Sequence, residues 1–139
     1  MKNKIVYDTS FIIRLFEKPL KISEPSTLLD WNSLILTNVI NELSHLSRKS
    51  TPKKKKIINS AISYLSNVTP INPNSDADTD SIIVEYAKHK NAIVASLDRD
   101  VLNKAKNAGV GTITLSNDRV IHDRSLYWEK LIIVIRCSK

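Results

Sequence analysis

The sequence predicts an α/β fold in which helices cover both faces of a mostly parallel β-sheet. Short β-prone runs alternate along the chain with longer stretches of helical periodicity, and this alternation is typical of βαβ units. The β-prone runs are KIVY (4–7), LILT (34–37), AIVAS (92–96) and GTITL (111–115). The stretches with helical periodicity are 10–17, 38–49, 53–67, 79–90 and 99–108.

Turn residues separate these elements. Gly109 follows LNKAKNA as a helix C-terminal cap residue does, and Gly111 opens the next strand. The segment 69–78 contains two prolines and is predicted to be a loop with a short strand at 69–71. The run LYWEKLIIVIRC (126–137) fits a buried strand, a terminal helix or a dimer contact, and its β-branched residues favour the strand.

Length and composition predict one globular domain, 1–139, with 42% hydrophobic and 25% charged residues. No apolar run approaches the ~20 residues that span a bilayer, and the N-terminus lacks the pattern of a signal peptide. The lone Cys137 excludes an internal disulfide and a cysteine-built zinc site. Three histidines argue against a histidine-rich metal site, and two glycines exclude a P-loop or a dinucleotide-binding turn. We therefore expect a protein of the reducing cytoplasm.

The charge distribution favours a polyanionic partner, most simply nucleic acid. The formal charge is +7 with a pI near 9.6, and six of the nine residues at 48–56 are basic. The lysine run within this stretch has two interpretations, a surface that holds RNA phosphates and a solvated helix start. The run consists of Lys53, Lys54, Lys55 and Lys56.

Three aspartates alternate in SDADTDS (75–81), just before an apolar run. The spacing resembles the start of an EF-hand loop, which needs Gly at its sixth position and Glu at its twelfth. Counted from Asp76, these positions hold Ser81 and Ala87, so the EF-hand is excluded. Acids that repel phosphate are useful to a nucleic-acid protein chiefly when a divalent cation lies between them and the phosphate.

Four acids that are far apart in the sequence fall where a predicted strand ends or a predicted helix begins. In a parallel α/β sheet these positions share one edge, and ligands bind there. A set of carboxylates suits Mg²⁺ or Mn²⁺, which can activate water and stabilise the leaving oxygen of a phosphodiester. Together with the basic run, the acids predict a metal-dependent nuclease. They are Asp8, Glu42, Asp80 and Asp98.

Ordinary helix chemistry is the alternative for the first two acids. Asp8 also fits a helix N-cap, and Glu42 fits a solvated acid in a helix that Thr37 or Asn38 caps. Two other classes of protein also fit parts of the pattern. One is an RNA-binding or scaffold module with an unused site. The other is a flavodoxin-like phosphoacceptor, which expects a pair of acids where this sequence has Asp8 alone.

The other acids near these positions are expected to serve helix ends. Either Asp76 or Asp78 is predicted to cap the helix at 79–90, with Asp80 as the ligand that faces inward. Asp76 precedes Asp80 by four residues, so a shared helix face would let it join a second metal. Asp100 is predicted to be an acid of a first helical turn.

The ordered motifs resemble those of the PIN-domain family. They are YDTSFII with Asp8, TNVINEL with Glu42, DTDSIIVEYAKHKNAIVASLDRDV with Asp80 and Asp98, and NAGVGTITL. The resemblance covers residues 4–115 in order and is most specific in VASLDRDVLNKAKNAGVGTITL. The sequence departs from the family at Ser81, where many relatives carry a second acid. Its C-terminal extension, 116–139, has no match.

The resemblance implies a three-layer α/β/α ribonuclease whose clustered acids bind Mg²⁺ or Mn²⁺. It further implies a toxin of a toxin–antitoxin pair, or an endoribonuclease that processes ribosomal or messenger RNA. The partners implied are RNA and an antitoxin or a ribosome-associated protein, and a homodimer fits both the family and the apolar tail. The matched positions are Asp8, Glu42, Asp80 and Asp98 for the acids, and Ser10 and Ser96 for small polar residues that support them.

Overall fold

The computed structural model describes residues 4–18, 32–116, 119–126 and 129–135, which form a three-layer α/β/α fold. The strands are β1 (Lys4–Tyr7), β2 (Asn32–Leu34), β3 (Ile93–Ala95), β4 (Thr112–Ser116), β5 (Arg119–Leu126) and β6 (Glu129–Ile135). The helices are α1 (Thr9–Glu17), α2 (Thr37–Lys49), α3 (Pro52–Leu65), α4 (Thr79–Lys90) and α5 (Arg99–Asn107). Among these described residues, no helix combines the length and the hydropathy needed to cross a membrane.

The strands form one sheet in the order β2-β1-β3-β4-β5-β6. β1 pairs in parallel with β2 and β3, and β3 pairs in parallel with β4. β5 and β6 then add an antiparallel hairpin to the edge of β4. The predicted mostly parallel sheet is therefore confirmed for the first four strands. The strand interpretation of the terminal apolar run is confirmed for Glu129–Ile135, while residues 127–128 and 136–137 lie outside the described residues.

The central strands are buried on both faces. Ile5 and Val6 are neighbours in β1, so their side chains point to opposite faces of the sheet, and both are fully buried. The helices α1, α2 and α3 contact one another, whereas α4 packs against β1, β3 and α5. The sheet therefore lies between two layers of helices, as the alternation in the sequence predicts.

The junction between β2 and α2 differs from the sequence prediction. The second strand is Asn32–Leu34 rather than 34–37, so the prediction placed it two residues too late. The residue at the N-cap position of α2 is Leu36, and no side chain caps this helix. The prediction that Thr37 or Asn38 caps it was therefore wrong.

Backbone pairing with the proline loop explains this difference. The Ile71 N–H donates to the Ile35 carbonyl at 2.8 Å, and the Thr37 N–H donates to the Ile71 carbonyl at 2.9 Å. This pairing gives the Thr37 N–H a partner, and the Val39 N–H, which a capping side chain could have bound, donates to the Leu36 carbonyl at 3.0 Å. The short strand predicted at 69–71 is confirmed as a parallel bridge between Leu36 and Ile71.

The ends of two other helices follow the local chemistry of the sequence. α3 begins at Pro52, and the Thr51 hydroxyl accepts a hydrogen bond from the Lys54 N–H at 3.4 Å. The lysine run therefore occupies the first turns of this helix. After α5, Gly109 has a φ of +76°, a conformation that glycine adopts readily, which confirms it as the residue that ends the helix.

Candidate functional site

Asp8 lies between β1 and α1 and is buried, with only 6% of its surface exposed. It occupies the N-cap position of α1, yet its side chain makes no capping hydrogen bond. Instead, its Oδ2 atom accepts hydrogen bonds from Ser96 Oγ at 2.7 Å and from Ser10 Oγ at 2.9 Å. Within the described residues nothing donates to its Oδ1 atom. The side chain is thus fixed through one oxygen, and the other oxygen remains for a ligand.

The two serines that hold Asp8 also join β3 to α1. Ser10 Oγ accepts from the Leu97 N–H at 3.0 Å, and Ser96 Oγ accepts from the Asp98 N–H at 2.9 Å. Ser96 is fully buried. These contacts fix the turn after β3 against the first turn of α1, so the backbone of Asp98 is positioned relative to Asp8.

Glu42 is held at the same edge of the sheet from a different helix. It lies in the second turn of α2, is exposed, and accepts a hydrogen bond from Thr9 Oγ1 at 2.5 Å on its Oε1 atom. Thr9 is the residue after Asp8, so this hydrogen bond ties the Glu42 carboxylate to the start of α1. The two acids are 34 residues apart in the sequence, and a side-chain contact brings their helices together here.

Asp80 lies in the first turn of α4, and Asp78 caps this helix. The Asp78 carboxylate accepts from the Ser81 N–H at 3.2 Å and from the Ser81 hydroxyl at 2.9 Å. The prediction that Asp76 or Asp78 caps α4 is thus confirmed for Asp78. Asp76 is exposed and lies outside the helix, so the helical spacing that would place it beside Asp80 does not apply.

Burial raises the pKa of the Asp80 carboxyl above its ordinary value. The negative charges of Asp98 and Asp8 raise that pKa further, while the Lys104 ammonium lowers it. Asp98 and Asp8, from two other elements, therefore lie close enough to Asp80 for their charges to repel its carboxylate. This mutual repulsion is the electrostatic signature of a place where a cation would be stabilised.

Asp98 takes part in one hydrogen bond and in one longer-range charge interaction. Its Oδ1 atom accepts from the Asp100 N–H at 2.9 Å and so caps α5, while its charge acts on Asp80. Asp100 is exposed and lies in the first turn of α5, as predicted. We refer below to Asp8, Glu42, Asp80 and Asp98 together as the acidic edge.

Lys104 is a residue of this region that the sequence analysis did not identify. Its Nζ atom lies 3.4 Å from Asp78 Oδ2 and 3.4 Å from Ser81 Oγ, and its charge lowers the pKa of Asp80. The available signal was its position on α5, six residues after Asp98. That signal is weak, because several lysines follow helix starts in this sequence.

The lysine run at the start of α3 is not brought next to the acidic edge. All four lysines are exposed. Glu42 and Lys49, at the end of α2, are separated by a helical rise of roughly 10 Å, and α3 begins only after that helix ends. The basic and acidic groups therefore occupy different parts of the molecule.

The donor groups of the acidic edge fit a hard divalent cation, since all are carboxylate oxygens and Asp8 keeps one oxygen without a described donor. Across 4–18, 32–116, 119–126 and 129–135, no group of three acidic, histidine or cysteine side chains has an arrangement that could hold a metal ion. The four carboxylates share an edge of the sheet without forming such a group.

Comparison with known protein families gives no matching family model, and comparison with curated protein sequences gives no match either. Among solved structures, the chain is similar to a domain of a functionally unknown protein from Methanocaldococcus jannaschii DSM 2661. The alignment covers 82% of this chain and 91% of that chain, with 22% sequence identity and a TM-score of 0.52. At this level of identity the similarity supports the α/β fold alone.

Proposed function

We propose that the protein is a metal-dependent endoribonuclease of the PIN-domain type, which hydrolyses RNA phosphodiester bonds at the acidic edge. The observation that carries this proposal is the placement of acids from separate elements at one edge of the sheet, where Ser10 and Ser96 hold Asp8 and the charges of Asp98 and Asp8 act on Asp80. Acids that serve only as helix caps do not need to converge from separate elements. Convergent acids with perturbed pKa values are typical of a functional site.

The four acids would hold Mg²⁺ or Mn²⁺ between them and the RNA backbone. When bound, such an ion supplies the activated water and the charge stabilisation that phosphodiester hydrolysis requires. Ser10 and Ser96 keep the Asp8 carboxylate in one orientation, and Thr9 does the same for Glu42. Such hydrogen bonds to ligand side chains typically tune both metal affinity and activity.

RNA is the substrate class that the charge distribution favours. The net charge of +7 attracts a polyanion, while the acids would repel phosphate without a cation. In the cell we propose a cytoplasmic role, either as a toxin restrained by an antitoxin or as a processing nuclease near the ribosome. The lone Cys137 and the PIN resemblance support this role.

Cleavage of a labelled single-stranded RNA by the purified protein tests the proposal. Mn²⁺ or Mg²⁺ is titrated against EDTA with the wild-type protein, Asp80→Asn and Asp76→Asn, all prepared identically. We expect metal-dependent cutting that Asp80→Asn loses and Asp76→Asn keeps, because Asp76 lies outside α4 and contributes no charge that affects Asp80.

Equal metal-dependent cutting by Asp80→Asn and the wild-type protein would defeat the site assignment. RNA binding without cutting under any metal condition would instead favour the second candidate, a non-catalytic RNA-binding or scaffold module. The exposed lysines of α3 are the observation that favours this alternative.

A further inference from the structure

A groove on the outer side of α1 and α3 combines lysines with aromatic rings. It has a volume of about 760 Å³, and its lining includes Phe16, Pro52, Lys55, Lys56 and Tyr64. Tyr64 is 49% exposed and is the one large hydrophobic side chain that stands out as exposed among the described residues. Its ring packs against Phe16 with 5.6 Å between the ring centroids. The groove thus offers both positive charge and an accessible aromatic ring.

Helical periodicity divides the lysine run into two pairs. Lys55 and Lys56 follow Pro52 by three and four residues, so they share its face of α3 and line the groove. Lys53 and Lys54 do not belong to the described lining of the groove. The two pairs carry the same charge and are adjacent in the sequence, yet only one pair lines the groove.

Tyr64 lies at the opposite end of this groove from Pro52 and the two lysines. Tyr64 also lines a small apolar cavity together with Tyr7 and Ile35. Tyr7 belongs to β1 and Ile35 follows β2, so Tyr64 lies beside the first two strands, and its contact Phe16 lies roughly 10 Å along α1 from Thr9. Lys56 lies eight residues earlier on α3, roughly 12 Å along the helix axis from Tyr64. The groove therefore runs along α3 from the lysines to Tyr64.

We infer that this groove binds single-stranded RNA, with backbone phosphates on Lys55 and Lys56 and a base stacked on Tyr64. Electrostatic contacts to the backbone and stacking on aromatic rings are the two means by which proteins bind single strands without sequence preference. The groove has no acidic residue in its described lining, and much of that lining is serine, asparagine and lysine. The two lysines and the absence of acids in that lining favour a polyanion. The inference rests on the proposed function for the identity of the strand as RNA.

The test is binding of a short fluorescein-labelled polyuridine to the full chain in EDTA, where metal-dependent cleavage is absent. Fluorescence anisotropy compares two double variants that each remove two charges. We expect Lys55→Gln with Lys56→Gln to weaken binding by at least ~10-fold and to lower the salt slope by about 1.4. The matched control, Lys53→Gln with Lys54→Gln, should stay within about 3-fold of the wild-type affinity.

The aromatic part has its own pair of variants. Tyr64→Leu should weaken binding by roughly 5- to 150-fold because it removes the stacking ring, whereas Tyr64→Phe should restore it. If Tyr64→Leu lowers the Tm, its weaker binding could reflect unfolding, and the two lysine pairs then provide the test. Polyglutamate serves as a competitor that has charge without bases, and an excess should fail to displace the RNA.

Equal weakening by the two lysine pairs, or displacement of the RNA by polyglutamate, would overturn the assignment of the groove as the RNA site. Either result would mean that RNA binds a diffuse basic surface. Equal binding by Tyr64→Leu and Tyr64→Phe would overturn the stacking. Because binding is measured without metal, loss of the groove leaves metal-dependent cleavage standing as a separate result. Conversely, binding in the groove without cleavage would remove the nuclease and keep the single-strand site.

Discussion

The acidic edge and the lysine face of α3 carry opposite charges and are built in opposite ways. The acids come from sequence positions as distant as Asp8 and Asp98, and the order of the strands brings them together. The lysines are adjacent in the sequence and are exposed. Topology produces the first region, and a local run of residues produces the second.

The acidic edge and the lysine face also differ in their electrostatic energy. Asp8 is buried, and two serine hydroxyls compensate for the loss of water around one of its oxygens. Asp80 is held near other negative charges, which makes its ionised form less favourable. The acidic edge therefore contains repulsion that a cation would relieve, whereas exposed lysines are separated by water and interact weakly. We expect substitutions at the edge to have large and specific effects.

Asp8→Asn should have the largest effect. It removes a ligand charge while keeping the shape of the side chain, so we expect more than about 100-fold loss of RNA cleavage, since even hydrogen-bond partners of metal ligands cost 10–100-fold. The fold and the RNA affinity in EDTA should be unchanged. Asp100→Asn makes the same change at an exposed acid of α5 and should cleave normally. Cleavage by Asp8→Asn at the rate of Asp100→Asn would show that Asp8 is only structural.

Ser96→Ala should have the next largest effect. It removes the 2.7 Å hydrogen bond to Asp8 Oδ2, so we expect roughly 10- to 100-fold weaker cleavage. The free energy of unfolding should fall by about 1–3 kcal/mol because a buried carboxylate loses a partner. Ser47→Ala is the control. Ser47 is also buried, but its hydroxyl donates to Asn59 Oδ1 at 2.6 Å and not to one of the four acids. It should lose stability and keep cleavage, and a loss of cleavage in both variants would point to general destabilisation.

The pH dependence should separate the acidic edge from ordinary surface acids. Asp80 must be ionised to serve as a ligand, and its pKa is raised, so cleavage should increase with pH through a range above the ordinary aspartate value. Lys104→Met removes a charge that lowers this pKa, so the acidic limb of the pH–rate profile should move to higher pH. Lys106→Met is the control, because its ammonium lies 3.4 Å from Asp123 Oδ2 instead. Identical profiles for the two variants would contradict the assignment.

The same pKa shift predicts a sign for stability. A carboxyl whose pKa is higher in the folded protein than in the unfolded chain binds its proton more tightly when folded. Its effect is to lower stability as the pH rises from the unfolded value through the folded one. In EDTA at neutral pH, Asp80→Asn should therefore raise the Tm by a few degrees, and the gain should vanish in acid. A lower Tm at neutral pH would mean that the Asp80 charge is stabilising.

The smallest effect on activity is expected at Asp78. Asp78→Ala removes the cap of α4 and should lower the Tm slightly, while cleavage continues. Asp98→Asn makes the complementary change, because asparagine still caps a helix but carries no charge. It should keep the Tm and lose cleavage. If Asp78→Ala lost cleavage and Asp98→Asn lost only stability, Asp78 would be the ligand and Asp98 only a cap.

The sequence was sufficient for the parts of the molecule that depend on local patterns. The bounds of α4 and β1 agree with the predicted 79–90 and 4–7, and Gly109 ends α5 as expected. The start of α2 was missed because Ile71, far away in the sequence, satisfies its backbone. The role of Tyr64 was missed for a similar reason, since its contact with Phe16 depends on the packing of α3 against α1.

Within the acidic edge, sequence and topology predicted which acids share the edge but not how each is held. That Asp8 does not cap α1 could not be read from the sequence, in which an aspartate before TSF has the pattern of a cap. The difference arises from Ser10 and Ser96, which hold its carboxylate instead. Ordinary helix-end rules describe Asp78, Asp98 and Asp100, whereas tertiary contacts hold Asp8 and Glu42.

Mn²⁺ binding to the RNA-free protein tests most directly whether the acids act together on a cation. The signal of free Mn²⁺ in electron paramagnetic resonance is followed as metal is added to the wild-type protein and to Asp8→Asn. We predict saturable binding by the wild-type protein and at least ~10-fold weaker binding by Asp8→Asn. Equal binding by the two proteins, or no saturable binding by either, would contradict the account and leave the acids with structural roles alone.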